Sequence, residues 1–280
     1  AQILLGGTPD DPSIDGKITV RKIRFTVPML AVNFENGIVA ATFDKHRVVL
    51  DTAQVFAGRG RVRATGFLEH NFAQLTDLAT TVSVNNLTFN KPRNYQLGVK
   101  SADINCRKRN QYYDIEGDVI LDETRYTTNI QPKQVLTTLR SLDLPAAESN
   151  PLLAKIRLNI RLRESKQIWI ENNLARLRLH PEISIIGSAA DINVTGRLTV
   201  TEGYVLYIDR KFRVKQGTID FTTQDRFNPS FNLVAVAELK SYQTRSQKPY
   251  LITLSISGSL DQPVVNLISD PPLDKTDILT

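Results

Sequence analysis

An all-β protein, built as an elongated, curled, antiparallel-rich sheet, is what this 280-residue sequence predicts, and three observations predict it. Apolar and polar residues alternate from one end of the chain to the other, turn-forming residues punctuate the alternation, and glycines recur inside the alternating stretches. Period-two alternation gives a pleated strand one apolar face. Turn chemistry between such stretches makes successive strands neighbours. A glycine inside a strand marks a bulge or bend, and bends repeated at intervals would curl a long sheet with no compact centre.

In chain order, the half-buried strands are marked by Ile23/Phe25/Val27, Val82/Val84, Tyr95/Leu97/Val99, Tyr113/Ile115, Ile156/Leu158/Ile160/Leu162, Leu177/Leu179, Ile183/Ile185 and Tyr250/Ile252/Leu254/Ile256. Asn36-Gly37, Gly58-Arg59-Gly60, Glu202-Gly203, Gln216-Gly217 and Pro271-Pro272 read as turns, and together they imply a meander. At most one or two short helices are expected. Pro132 to Leu144 places Val135, Leu136, Leu139 and Leu142 near one helical face after a proline suited to a first turn, and Leu75 to Thr80 is a second candidate. The proline-bounded stretch 145–151 reads as a linker between a repeat-like β segment, 1–144, and a second β segment, 152–280. A repeat crosses that division: Gly6-Gly7-Thr8 followed by Ile14-Asp15-Gly16 resembles Ile186-Gly187-Ser188 followed by Val194-Thr195-Gly196, with a third echo at Ile256-Ser257-Gly258.

The longest apolar runs, such as Tyr204 to Ile208, are far too short for a membrane-spanning helix. Ala1 is not an initiator methionine, and neither a basic nor an apolar leader opens the sequence, so the chain reads as a fragment whose signal or anchor lies upstream. The single cysteine, Cys106, excludes an internal disulfide. A net charge of +6 favours anionic partners. From Lys155 to Arg163 basic and apolar residues alternate, so the positive charge lies on one strand face, either as a solvated face that discourages edge-to-edge association or as an attraction for head groups. Nucleic acid is not an expected partner, because no recognition helix, zinc spacing or aromatic RNA-binding signature accompanies the charge.

Catalytic chemistry, metal binding and cofactors are not expected. His46, His70 and His180 are scattered in sequence and lack ligand spacing. Cys106 sits among Arg107, Lys108 and Arg109, a setting that could activate a thiol, yet it continues the alternation of Ala102 and Ile104 as a small apolar strand residue. Gly58-Arg59-Gly60 begins like a dinucleotide fingerprint, but the third glycine, Gly66, comes too late. Asp10-Asp11 and Asp270 lie in proline-rich loops that favour turns. Trp169, Tyr207, Tyr242 and Tyr250 could form a glycan-stacking surface, although the aromatics are few and dispersed. A β-spacer without a ligand track would use the same sheet.

Three ordered motifs carry a family resemblance. The first is Ile168-Trp169-Ile170-Glu171-Asn172. The second is Gly196-x-Leu198-x-Val200-x-x-Gly203-x-Val205-x-Tyr207 followed by Phe212-x-Val214-x-x-Gly217-x-Ile219-x-Phe221. The third is Pro263-x-Val265-x-Leu267-x-Ser269-Asp270-Pro271-Pro272-Leu273 followed by Asp277-Ile278-Leu279. In order and spacing these resemble the C-terminal region of the TamB family, within the AsmA-like superfamily, most strongly over Leu153 to Leu279. The resemblance implies a taco-like sheet with an apolar interior. It implies a periplasmic location, with the full-length protein held in the inner membrane by an N-terminal helix absent here, or a chloroplast-envelope location for a plastid relative. It further implies carriage of phospholipid between inner and outer membranes. The alternative is a scaffold for assembling outer-membrane or autotransporter β-barrel proteins by strand binding, beside an outer-membrane barrel of the TamA or BamA type. Membrane contact would then be made by parts outside this chain.

Shielding an acyl chain is worth about 0.8 kcal/mol per methylene, so baring a lipid tail to water costs on the order of 10 kcal/mol. A continuous apolar track removes most of that barrier without chemistry. The residues expected to line it are Ile156, Leu158, Ile160, Leu162, Ile168, Ile170, Leu177, Leu179, Ile183, Ile185, Leu198, Val200, Ile252, Leu254 and Ile256. The same alternation would serve equally in a dry core between packed sheets.

Overall fold

The alternating stretches are strands. In the computed structural model, which describes residues 2–8, 12–28, 31–71, 74–129, 151–222, 228–239, 249–259 and 261–273, they are β1 (Gln2–Gly7), β2 (Pro12–Val27), β3 (Val32–Lys45), β4 (Arg47–Ala57), β5 (Gly60–His70), β6 (Leu75–Lys91), β7 (Tyr95–Arg109), β8 (Tyr112–Leu121), β9 (Thr124–Tyr126), β10 (Ile156–Glu164), β11 (Ile168–Glu171), β12 (Ala175–Ser188), β13 (Asp191–Tyr207), β14 (Arg210–Phe221), β15 (Ser230–Leu239), β16 (Tyr250–Ser259) and β17 (Pro263–Asp270). The all-β, antiparallel-rich expectation holds. Among the described residues the only helix is α1 (Pro151–Ala154), one turn long. The helix expected over 132–144 and the linker residues 145–150 lie outside the described residues. The helix expected at Leu75 to Thr80 is instead the start of β6, where Leu78 pairs with Leu68 and Thr80 with Gly66, so ladder pairing overrides local propensity.

The chain forms two compact units. The first comprises Ala1–Glu123, Ala146–Lys166 and Ser184–Ile192; the second comprises Thr124–Pro145, Gln167–Ile183 and Asn193–Thr280. In the first unit β1 to β8 form an antiparallel meander. β10 then lies parallel to β8, with Ile156 opposite Tyr113 and Glu164 opposite Leu121. In the second unit β11 lies parallel to β9, and the series β11 to β17 is otherwise antiparallel. A pure meander was expected. Parallel neighbours require a long crossover, and here it falls between β9 and β10, where no short turn announces it.

Three of the expected turns lie inside strands. Asn36-Gly37 is in β3, Glu202-Gly203 in β13 and Gln216-Gly217 in β14, and the pairing register slips between Glu35 and Ile38 and between Val214 and Gln216. The two slips are β-bulges, and Asn36 (φ 53°) and Gly203 (φ 134°) take the positive φ that tight turns also use, so the sites look like turns in sequence. Gly58-Arg59 does turn β4 into β5, whereas the β13–β14 turn is Ile208-Asp209, both at positive φ (47° and 56°). The glycines at the repeated positions, Gly16, Gly196 and Gly258, have φ of 144°, 115° and 94°, a region that disfavours any side chain.

Each unit has its own buried cluster. In the first, Val32, Phe34, Leu87, Val99 and Ala102 are buried together at the end of the meander where β3 begins and β6 ends. In the second, Leu177, Leu179, Val200, Val205, Phe212, Ala235, Ile252 and Leu254 form one cluster spread over five strands. One layer of sheet leaves each face half open to water, yet Ala235, Ile252 and Leu254 are 0% exposed. The sheet of the second unit therefore covers its own apolar face.

Candidate functional site

In the first unit, pairing register carries one apolar face across successive strands. Ala53 lies opposite Ala64, Ala64 opposite Val82, Val82 opposite Ile104, Ile104 opposite Gly117, and Gly117 opposite Ile160. The next row runs Leu50, Gly66, Thr80, Cys106, Ile115, Leu158 by the same registers. A bulge between Leu50 and Ala53 keeps both on this face. Beyond the buried cluster at one end, the face stays half-buried through Leu50, Leu68, Val82, Ile104, Ile115 and all four apolar residues of β10. It ends in fuller exposure at β1, where Leu5 is 81% exposed.

Several small residues keep the face low. Gly117 is required by close approach: a Cβ there would collide with the Asp103 carbonyl oxygen and crowd the Ile104 side chain. Cys106 belongs to this face. Its thiol is pushed up from its ordinary value, chiefly by burial and secondarily by the charge of Asp114, so the activation that Arg107 to Arg109 suggested is not found.

The basic residues of β10 occupy the opposite face, and Arg157 and Arg161 are paired, as is Lys166 just beyond the strand. Arg157 Nε donates to Asp114 Oδ1 at 2.5 Å and Arg161 Nη2 to Asp118 Oδ2 at 2.8 Å, while Lys166 Nζ lies 3.0 Å from Asp122 Oδ1. Asp114, Asp118 and Asp122 recur every four residues, as do Arg157 and Arg161, so the parallel register sets the partners side by side. Arg109 also reaches Asp114 at 3.3 Å, and Asp114 is buried. Arg157 and Arg161 of the Lys155–Arg163 stripe thus stitch β10 to β8, a role visible only once the parallel register is known.

The expected lining residues divide between the units. Ile156, Leu158, Ile160, Leu162 and Ile185 are half-buried residues of the first. Ile168, Ile170, Leu177, Leu179, Leu198, Val200, Ile252, Leu254 and Ile256 lie in or against the core of the second, and Ile183 is buried in the second. Register pairs Ile168 with Leu179 and Ile170 with Leu177. The Ser269-Asp270-Pro271-Pro272-Leu273 motif completes this core: buried Ser269 Oγ accepts a 2.6 Å hydrogen bond from the Leu273 amide, and Leu273 packs back onto the cluster. Sequence reasoning missed the contribution of β4 to β8 to the half-open face of the first unit. Its signal was the Val82/Val84 and Ile115 alternation, read as strand but not carried across the sheet.

The two histidines far apart in sequence meet: the His46 and His70 rings are 6.1 Å apart, edge to face, at the β3–β4 turn and the end of β5. Among the described residues no cluster of ligating side chains could hold a metal ion. Trp169 and Tyr207 do not share a surface, since Tyr207 packs against the core while Trp169 alternates with the core-facing Ile168 and Ile170. Trp169 instead lines a cavity of about 810 Å³ on the other face of the second unit, with Arg176, Tyr204, Lys211, Arg213, Lys215 and Glu238 among its walls. No described helix is long and apolar enough to cross a membrane, which says nothing of crossing by strands.

Two comparisons bear on this geometry. The family described as the TamB C-terminal domain matches residues 51–280. The Translocation and assembly module subunit TamB of Haemophilus influenzae is 19% identical over 287 residues, covering 97% of this chain and 22% of that protein. The chain therefore spans about a fifth of the length of that relative.

Proposed function

This chain belongs to the TamB family, and from that premise we propose that it shelters phospholipid acyl chains on an apolar strand face during movement from inner to outer membrane. The observation that carries the reading is the half-open face of the first unit. Ile156, Leu158, Ile160 and Leu162 continue apolar rows that run through β4 to β8, yet none of them belongs to a buried cluster. Rows of similar aliphatic side chains offer shallow, similar wells, which suit sliding better than one pocket with polar anchors. No chemical step is needed, so the role is not enzymatic. The proposed setting is the periplasm, with membrane contact made elsewhere in the full-length protein.

Within this proposal the first unit takes the track, with Ile185 beside it. Ile252 and Leu254 are fully enclosed in the core of the second unit; for them to line a track, that unit would have to open. A second reading rests on exposed apolar side chains. β1 exposes Ile3, Leu4 and Leu5, and β17 exposes Val264, Val265 and Ile268. Such apolar patches suit side-chain contact with a client strand or docking on an outer-membrane barrel of the TamA type, in keeping with the translocation and assembly named for the relative.

Cys106 supplies the test, being the sole thiol and two strands from Leu158 on the same face. Native mass spectrometry of the purified chain should find bound phospholipid, and loading with phospholipid should slow alkylation of Cys106. Leu158→Asp, with an unchanged circular dichroism spectrum, should lose both. A chain that takes up no lipid under loading and shows no protection of Cys106 would overturn the reading. Capture of unfolded barrel strands by that same chain would favour the second.

A further inference from the structure

On the face of the second unit opposite its core, register places Tyr204 beside Arg213 and Arg213 beside Val236. Lys211, Arg213 and Lys215 alternate along β14 and so line the same cavity. Other arginines of this unit have acidic partners: Arg176, in the cavity wall, with Glu171 at 3.5 Å, Arg178 with the wall residue Glu202 at 3.4 Å, and, away from the cavity, Arg197 with Asp220 at 2.5 Å. Lys211, Arg213 and Lys215 form no ion pair among the described residues, and neither does the facing Glu238. Aromatic rings hold two cations of the wall in place: Lys211 Nζ sits 4.3 Å over the Tyr204 ring and Arg176 Cζ 5.1 Å over that of Trp169.

We propose that this cavity is a binding site for a phosphodiester group, with Lys211, Arg213 and Lys215 on the phosphate and Glu238 accepting from an ammonium or hydroxyl group at its other end. Three unpaired cations on one short strand segment concentrate positive potential in a concave surface, where a phosphate, with several acceptor oxygens, is matched better than a single carboxylate. Of the two carboxylates in the lining, Glu202 is held by Arg178, and Glu238 gives the site polarity and distinguishes a group with both charges or with hydroxyls from simple inorganic anions. A cavity of about 810 Å³ suits a small head group, and Trp169 and Tyr204 give it apolar walls. The source is either a membrane lipid or a free glycerophosphodiester. The site is separate from the apolar face of the first unit and needs no acyl chain, so it stands or falls independently of lipid carriage.

Trp169 is the only tryptophan in the chain and lines the cavity, so its fluorescence reads the site directly. Titration with glycerophosphoethanolamine and with dihexanoyl phosphatidylethanolamine below its micelle concentration should give a saturable change. Response to both places recognition in the head group alone, and response only to the short-chain lipid assigns the lipid source; either supports the site. Replacing exposed Arg213 and Lys215 together by glutamine should weaken binding at least tenfold with the circular dichroism spectrum intact, and Glu238→Gln should narrow the preference over inorganic sulfate. The proposal is overturned if neither ligand gives a saturable change, if sulfate at equal concentration reproduces it, or if the double variant binds as wild type.

Discussion

The first unit carries an apolar face that it leaves half open, whereas the second folds a similar face over itself until three of its residues have no exposed surface. Both faces are written in the same period-two alternation. What differs is what stands opposite. The second unit fills its interior with Phe212, Leu177, Leu179, Ile252 and Leu254, and its chain returns through Ser269 to set Leu273 against them. The first unit interleaves Ala53, Ala64, Gly66, Ala102 and Gly117 among its aliphatic residues, so its rows present small side chains where the second presents large ones. Alternation therefore specifies a face; the volumes along it help decide whether that face closes into a core.

Matched substitutions break or confirm this contrast. Leu254→Ala should cost about 2–5 kcal/mol because the cavity it leaves is enclosed. Leu158→Ala should cost roughly half that or less, since its side chain already meets solvent. The aspartate versions widen the gap: Leu254→Asp buries an unpaired charge and should unfold the second unit, while Leu158→Asp should stay folded. Urea unfolding followed by Trp169 fluorescence reads the second unit directly. Equal losses at the two positions would mean that the first unit's face is a closed core as well. Next in size, Gly117→Val should cost on the order of 1–3 kcal/mol by forcing β7 and β8 apart around the Asp103 carbonyl. Gly58→Ala, at a turn with nothing nearby, has only its positive φ to oppose it and should cost less.

Much of this was legible in the chain. The fold class, the strand-internal glycines and the apolar identity of β10, β12 and β16 follow from alternation alone. The second unit's three motifs, Ile168 to Asn172, Gly196 to Phe221 and Pro263 to Leu273, prove to be segments that supply or cover its core. Two things were hidden for physical reasons. Asn36-Gly37, Glu202-Gly203 and Gln216-Gly217 could not be told from hairpin turns, because a polar residue followed by glycine serves a turn and an irregular strand position alike, and this made strands as long as β13 look like two. The pairing of Arg157 with Asp114 and of Arg161 with Asp118 depends on a parallel register set by a crossover, and no local signal fixes which residues such a crossover brings side by side. The same ignorance of register hid the assembly of Leu50, Gly66, Cys106, Ile115 and Leu158 into one row.

That ladder sharpens the contrast further, because its two rungs differ in burial. Asp114 is 8% exposed at its side chain and held by both Arg157 and Arg109, whereas Asp118 is 42% exposed and meets Arg161 alone. Asp114→Asn should cost about 1.5–3 kcal/mol, as a charge-assisted bond in a screened setting is lost. Asp118→Asn should cost about 0–1 kcal/mol and vanish at high salt. Equal effects would mean that Asp114 is as open to water as Asp118.

The smallest effect is the most local. Thiolate is the species that reacts with alkylating reagents, and in the folded chain the Cys106 thiol is raised first by burial and then by Asp114. Raising the pKa lowers the thiolate fraction at any given pH below it, so the rate–pH curve of the native protein should lie at higher pH than that of the urea-unfolded chain. Asp114→Asn removes the second cause and leaves the first. Its native curve should therefore move back only part of the way, still above the unfolded reference. A native curve coincident with the unfolded one would mean that water reaches Cys106 freely, and the row from Leu50 to Leu158 would then be an ordinary solvated face. A full return in Asp114→Asn would mean that charge alone sets the thiol, leaving no desolvated surface there for an acyl chain to join.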